Sequence, residues 1–125
     1  MAEPFFTKEH EWVRIEGNVA SVGITDFAAH QLGDITFVEL PPIGKVVKQF
    51  EVLCGIESVK TASDIYAPVS GKVIAVNAAL NDTPEVVNES PEDNAWMVKL
   101  EAVDDAVELS RLMDRDQYLE YLKGL

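Results

Sequence analysis

The 125-residue chain carries 22 acidic side chains against 10 basic ones, a net charge of −12, so a phosphate backbone or an anionic membrane would repel most of its surface. Its 47% hydrophobic and 26% charged residues are the proportions of a soluble globular protein, not a disordered one, and the length suits a single domain, residues 1–125, with a core of its own. The one cysteine, Cys54, excludes an internal disulfide, and no run reaches the roughly 18 apolar residues of a membrane span.

The opening "MAEPFFTKEHEW" lacks the basic segment and long apolar run of a secretory signal, so a cytoplasmic protein is expected, or a mitochondrial-matrix one if a eukaryotic precursor was processed. "EWVRIEGNVASVGIT" alternates apolar and polar residues on both sides of Glu16-Gly17-Asn18 and predicts a hairpin. "TDFAAHQLG" predicts a helix of about two turns, capped by Thr25 and stopped by Gly33. "ITFVELPP" predicts another strand with a proline stop. In "EVLCGIESV" the alternation places Val52, Cys54 and Ile56 on one face, which makes Cys54 a buried small hydrophobe and not a reactive thiol. "AWMVKL" places Trp96, Val98 and Leu100 on one face and Met97 with Lys99 on the other. The β core is thus expected over about 10–101. A helical segment is expected over about 104–124, with Val107, Leu109, Leu112 and Met113 in one apolar group and Tyr118, Leu119 and Leu122 in a second. Asp114 and Gln117 are spaced to restart that helix with a capping box.

Pro-x-x-Gly-Lys-Val occurs twice, in "PPIGKVV" from Pro41 and "PVSGKVI" from Pro68. If each copy is a turn entering a strand, the two halves can pair as quasi-equivalent small sheets, and the link between them becomes a protruding hairpin with Lys60 near its middle. Catalytic signatures are missing. Both Gly-Lys pairs lack the upstream glycine of a phosphate loop, no Gly-x-Ser-x-Gly elbow occurs, and His10 and His30 lack the close spacing of metal ligands. The Asp104-Asp105 pair reads as a solvated acidic face. A carrier or binding module is expected, not an enzyme.

Lys60 is one of seven lysines, but it stands where an alternating apolar run gives way to the polar "KTASD". A Schiff-base lysine needs a desolvating pocket, which a hairpin tip does not provide. A tip does offer the amine to another enzyme that attaches a cofactor, which then swings on a long arm and visits several sites at high effective concentration.

At these residues the sequence resembles the lipoyl-carrier H proteins of the glycine cleavage system. The resemblance runs through "HEWV" (10–13), "VGITDFAAHQLGDITFVELP" (22–41), "ESVKTASDIYAPVSGKVIAVN" (57–77), "VNESP" (87–91) and "WMVKL" (96–100). It implies a mainly β fold, a barrel-sandwich hybrid of two small sheets with a short internal helix and a C-terminal helical tail. The family's lipoylated lysine lies in Glu-Ser-Val-Lys, which implies covalent lipoic acid on Lys60. Because a hairpin end has little core to lose, Glu57 and Ser58 are expected to be recognised by the modifying enzyme and not to hold the fold. Biotin carriers bracket their lysine with methionines, and 2-oxoacid dehydrogenase lipoyl domains show Asp-Lys-Ala; Val59 and Thr61 match neither. Thr61 stands where the family often has alanine.

The implied partners are a pyridoxal-phosphate glycine decarboxylase, a tetrahydrofolate-dependent aminomethyltransferase, dihydrolipoamide dehydrogenase, and a lipoate ligase or lipoyl transferase. The carrier is expected to be a monomer that binds neither nucleic acid nor membrane. A loaded aminomethyl group hydrolyses in water, so a shuttle gains from a cleft where its ammonium meets carboxylates. Resemblance nominates Glu11 and Asp64 for that docking. The alternative role is a donor that relays lipoyl groups to other lipoyl-dependent complexes.

Overall fold

A computed structural model describes residues 3–102 and 106–125. The chain runs through β1 (Phe5–Phe6), β2 (Glu11–Glu16), β3 (Val19–Ile24), α1 (Asp26–Leu32), β4 (Ile35–Glu39), β5 (Val46–Val47), β6 (Val52–Ser58), β7 (Ala62–Tyr66) and β8 (Gly71–Val76). Two one-turn helices, α2 (Ala79–Asp82) and α3 (Val86–Glu89), lead to β9 (Val98–Ala102), and the tail holds α4 (Ala106–Leu109) and α5 (Arg115–Lys123). The strands form two antiparallel sheets, one ordered β1-β2-β3-β9-β8-β5 and one ordered β4-β6-β7. This is the mainly β, barrel-sandwich architecture expected, although the sheets are unequal. The β3–β9 and β9–β8 pairings add a hairpin and a late strand to one of them.

The two Pro-x-x-Gly-Lys-Val copies pair with each other. Val46 lies opposite Lys72, and the Val73 N–H donates to the Lys45 carbonyl at 2.8 Å while the Gly44 N–H donates to the Val73 carbonyl at 2.8 Å. Lys45 and Lys72 hold the same place in the two copies, as do Val46 and Val73, so a local two-fold axis exchanges one pair for the other. With β5 and β8 joined, the chain between them must leave the sheet and return, and it does so as the β6–β7 hairpin.

The main core is aliphatic, built on Val22, Val38, Leu53, Ile56, Val73 and Leu100 between the two sheets. Cys54 is buried as expected, and burial pushes its thiol up to about 12. Its expected neighbour Val52 is not buried. The register shifts between Val52 and Cys54, and this bulge turns Val52 outward at 44% exposure while Leu53 enters the core. In "AWMVKL" the alternation holds for Val98 and Leu100 and fails before them, because β9 starts only at Val98. Met97 is fully buried, its N–H donating to the Val22 carbonyl at 2.7 Å, and Trp96 is half-buried with the Lys99 ammonium 4.8 Å from its ring centroid.

Both expected caps are present. The Thr25 hydroxyl accepts the Ala28 N–H at 3.2 Å, and Gly33 closes α1 with φ 81°. Asp114 Oδ1 accepts the Gln117 N–H at 2.8 Å while Gln117 Oε1 accepts the Asp114 N–H at 2.9 Å. The tail, however, is two helices with Met113 bridged to Phe6 between them. Asp104-Asp105 and the expected helix start at Asp104 lie outside the described residues. Glu108 accepts the Ser70 N–H at 2.7 Å, and with this anchor Val107 points to solvent. On α5 the seam is Tyr118, Tyr121 and Leu122, spaced i, i+3, i+4; Leu119 lies about 100° around from Tyr118 and is exposed. Tyr118 stacks on Phe6 with ring centroids 4.5 Å apart, beside Trp12, in a small aromatic core.

The repeat needs its two glycines for different reasons. Gly44 has φ 96° and nothing near its missing Cβ, whereas a Cβ on Gly71 would stand 2.7 Å from the Glu101 carbonyl oxygen of the neighbouring strand. Gly44→Ala should therefore cost about 1 kcal/mol of left-handed strain, and Gly71→Ala about 3 kcal/mol by prising β8 from β9. Urea unfolding of both variants checks the order; equal losses would contradict it.

Candidate functional site

Glu57 and Ala62 form the last pair of the β6–β7 ladder, and the Ser58 N–H donates to the Thr61 carbonyl at 2.8 Å, leaving Val59 and Lys60 as the two-residue tip. The Ser58 hydroxyl folds into the turn and accepts the N–H groups of Lys60 (3.1 Å) and Thr61 (3.2 Å). Ser58 therefore shapes the tip as well as flanking it. Lys60 and Val59 are both exposed.

The tip leans on the loop after α1. The Val59 N–H donates to the Asp34 carbonyl at 3.0 Å. The Lys60 stem passes over Gly33, where an added Cβ would meet Cε at 3.3 Å and Nζ at 3.8 Å. That loop is itself gripped from α3: Asn88 Nδ2 donates to the Gly33 carbonyl at 2.8 Å, and Asn88 Oδ1 accepts the Ile35 N–H at 2.9 Å. Local sequence marks Gly33 only as a helix stop and gives Asn88 no role, because the partners they meet here lie far along the chain.

Glu11 is not a surface acid. It is 1% exposed, with Oε1 accepting the Thr7 hydroxyl at 2.5 Å and Oε2 accepting the Tyr66 N–H at 3.1 Å, so it ties the β1–β2 turn to the base of the hairpin. Burial dominates and raises its carboxyl from 4.5 to about 7, against those hydrogen bonds, which favour the anion. The preceding His10 sits at φ 71°, its Nδ1 2.9 Å from the Tyr118 hydroxyl, which is in turn 2.8 Å from Thr25 Oγ1. Burial lowers the His10 pKa, with Glu9 pulling it back up, a direction that favours the neutral ring.

Two surface concavities flank these residues. A cleft of about 490 Å³ is walled by Phe6, Thr7, Phe50, Tyr66, Arg111 and Met113; Glu11 lies behind it, bonded to two of these wall residues. A smaller groove of about 250 Å³ on the hairpin holds Asp64 and Glu57 with a third carboxylate, Glu39. The structure thus brings Asp64 and Glu57 together, with Glu11 beside the other cavity. Glu39 escaped the sequence reading because it ends a strand that reads only as structure. Among the described residues no cluster of His, Cys, Asp and Glu could hold a metal ion, and no helix is long and apolar enough to cross a membrane.

The buried carboxyl makes a pH prediction. Well below pH 4.5, Glu11 is protonated in folded and unfolded chains alike; as pH rises the unfolded carboxyl ionises first, so stability falls until the folded group also ionises near 7. Glu11→Gln lacks this titration. The stability of the native chain relative to that variant should fall by up to about 3 kcal/mol from about pH 4 to about pH 8, measured by urea unfolding at each pH. A constant difference would show that burial does not raise this carboxyl.

Comparison with known proteins agrees with this geometry. The sequence profile of the family described as glycine cleavage H-protein matches residues 5–124. The glycine cleavage system H protein of Caulobacter vibrioides is 58% identical over 120 residues, covering 96% of this chain and 98% of that one. Its namesake in Brevibacillus brevis is 53% identical over 118 residues, covering 94% and 93%. A crystal structure of a glycine cleavage system H protein from Mycobacterium marinum superimposes with a TM-score of 0.85 at 33% identity, covering 100% of this chain and 99% of that one. A match over nearly the whole length, on a fold that ends its central hairpin in an exposed lysine, places the chain in the glycine cleavage H-protein family.

Proposed function

We propose that this chain is the lipoyl-carrying shuttle of the glycine cleavage system, with lipoic acid held as an amide on Lys60 Nζ. The observation that carries the reading is the tip itself: a primary amine exposed on a two-residue turn, with its stem laid along Gly33 and no desolvating pocket around it. That setting suits acylation by a separate enzyme and does not suit a catalytic amine. When bound, the lipoyl group supplies a disulfide that takes up the aminomethyl fragment of glycine and is restored by oxidation.

The chain's own residues present and protect. The β6–β7 ladder carries the tip, and Ser58 holds the turn's amides, with the Lys60 side chain left exposed over Gly33. Glu57, beside Ser58 and exposed, is the side chain for the lipoate ligase or lipoyl transferase to read. Asp64, in the open groove, is the carboxylate proposed to meet the ammonium of the loaded arm. Glu11, nominated with it from the sequence, is 1% exposed with both oxygens bonded to Thr7 and Tyr66, so it holds the base of the hairpin and is not free to meet that cation. The cleft offers an apolar wall of Phe6, Phe50 and Met113 beside the charged Lys8, Glu9 and Arg111, and an arm laid on that wall would be partly shielded from hydrolysis. The carrier has no catalytic residues of its own in this reading. It presents its arm to the decarboxylase, the aminomethyltransferase and dihydrolipoamide dehydrogenase in turn.

Lys60→Arg tests the assignment, because it keeps the positive charge and cannot form the amide. The variant should melt within about 0.5 kcal/mol of the native chain, take up no lipoyl mass from a lipoate ligase, and support no glycine cleavage with the three partners. Lipoyl uptake by the variant at another lysine would overturn it.

A further inference from the structure

Three consecutive residues, Gly33, Asp34 and Ile35, form a bracket under the hairpin tip. One side chain grips the outer two: Asn88 donates to the Gly33 carbonyl at 2.8 Å and accepts from the Ile35 N–H at 2.9 Å. The middle residue grips the tip, since the Asp34 carbonyl accepts the Val59 N–H at 3.0 Å. Gly33 also carries the Lys60 stem. Asn88 is held in turn by α3, whose Val87 is fully buried in the main core.

The chemistry of the amide is matched to this task. Its two ends differ, one donor and one acceptor, and they meet a carbonyl and an N–H spaced two residues apart; Gln carries the same amide one methylene further out, and a Ser or Thr hydroxyl offers both roles from a single atom. Without it, the loop would have a half-buried carbonyl and N–H to satisfy, and the Asp34 carbonyl between them would lose its fixed direction. The ladder and Ser58 shape the turn itself, but outside the hairpin little else holds the tip, because Val59 and Lys60 are both exposed.

We propose that Asn88 is a positioning residue for lipoyl attachment: it sets the Asp34 carbonyl that holds Val59, and so fixes where Lys60 is offered to the attaching enzyme. This rests on the reading that Lys60 is the acylated residue. It assigns a role in the modification site to a side chain of the β8–β9 connection.

The test measures initial rates of lipoyl attachment to the full-length unmodified chain by a purified lipoate ligase with ATP and lipoate, followed by mass spectrometry across Lys60. Asn88→Ala removes both bonds. Asn88→Asp keeps the size and the Ile35 acceptor but sets an anionic oxygen against the Gly33 carbonyl, and it carries the test should Asn88→Ala fail to fold. Both should lower kcat/KM for attachment about tenfold, mainly through KM, and should speed hydrogen exchange of the Val59 amide while the Leu100 amide keeps its protection. Asn81→Ala, exposed on α2, should change neither. Attachment at the native rate in both Asn88 variants would overturn the positioning role and leave the carrier reading standing. A slowed rate with unchanged Val59 exchange would overturn it too, in favour of direct contact with the ligase. No attachment to Lys60 of the native chain would overturn the carrier reading, and this role with it.

Discussion

The structure depends first on the pairing of β5 with β8. β5 follows the first Pro-x-x-Gly-Lys copy and β8 starts within the second, at Gly71, and the two copies bond to each other through their backbones. An isolated two-residue strand such as β5 has almost no stability of its own. Paired, it fixes both ends of the segment between the two turns, which must then leave the sheet and come back. The excursion is the hairpin that ends at Lys60. A repeated six-residue pattern thus determines where the chain can place a protruding amine, before any residue near Lys60 is considered.

Polar side chains and one backbone carbonyl then secure the tip and its base, where burial of apolar area is scarce. At the tip the bonds are Ser58 to the turn amides and Asp34 to Val59. At the base, Glu11 joins the β1–β2 turn to Tyr66, and Tyr118 joins α5 to the cap of α1 through Thr25. These links connect segments far apart in the chain, so loosening one frees a whole element. The aromatic cluster of Phe6, Trp12 and Tyr118 shields the basal links from water, and the shielding strengthens the bonds while raising the Glu11 and Tyr118 titrations.

Features governed by neighbours in sequence were legible from it. The β2–β3 hairpin, the Thr25 cap, the Gly33 stop and the Asp114-Gln117 capping box need only local spacing, and all four are present. The repeat was legible too, and so was a hairpin carrying Lys60 between its copies. Periodicity failed where the backbone departs from a regular strand or helix. The bulge at Val52 and Cys54, the late start of β9 and the anchor of Glu108 on Ser70 each turn a side chain away from its expected face. In the site, Lys60 could be singled out because its setting is local. The burial of Glu11, the third carboxylate Glu39 and the grip of Asn88 follow from tertiary contacts that no single stretch of sequence contains.

The Lys60 stem lies over Gly33, at the carboxyl end of α1. The partial negative charge at a helix C-terminus attracts a cation, so the free ammonium is drawn toward the body of the protein. Acylation of Lys60, as proposed, would turn that ammonium into a neutral amide. The bond that attaches the arm would then also cancel the attraction that draws the bare side chain toward the helix end.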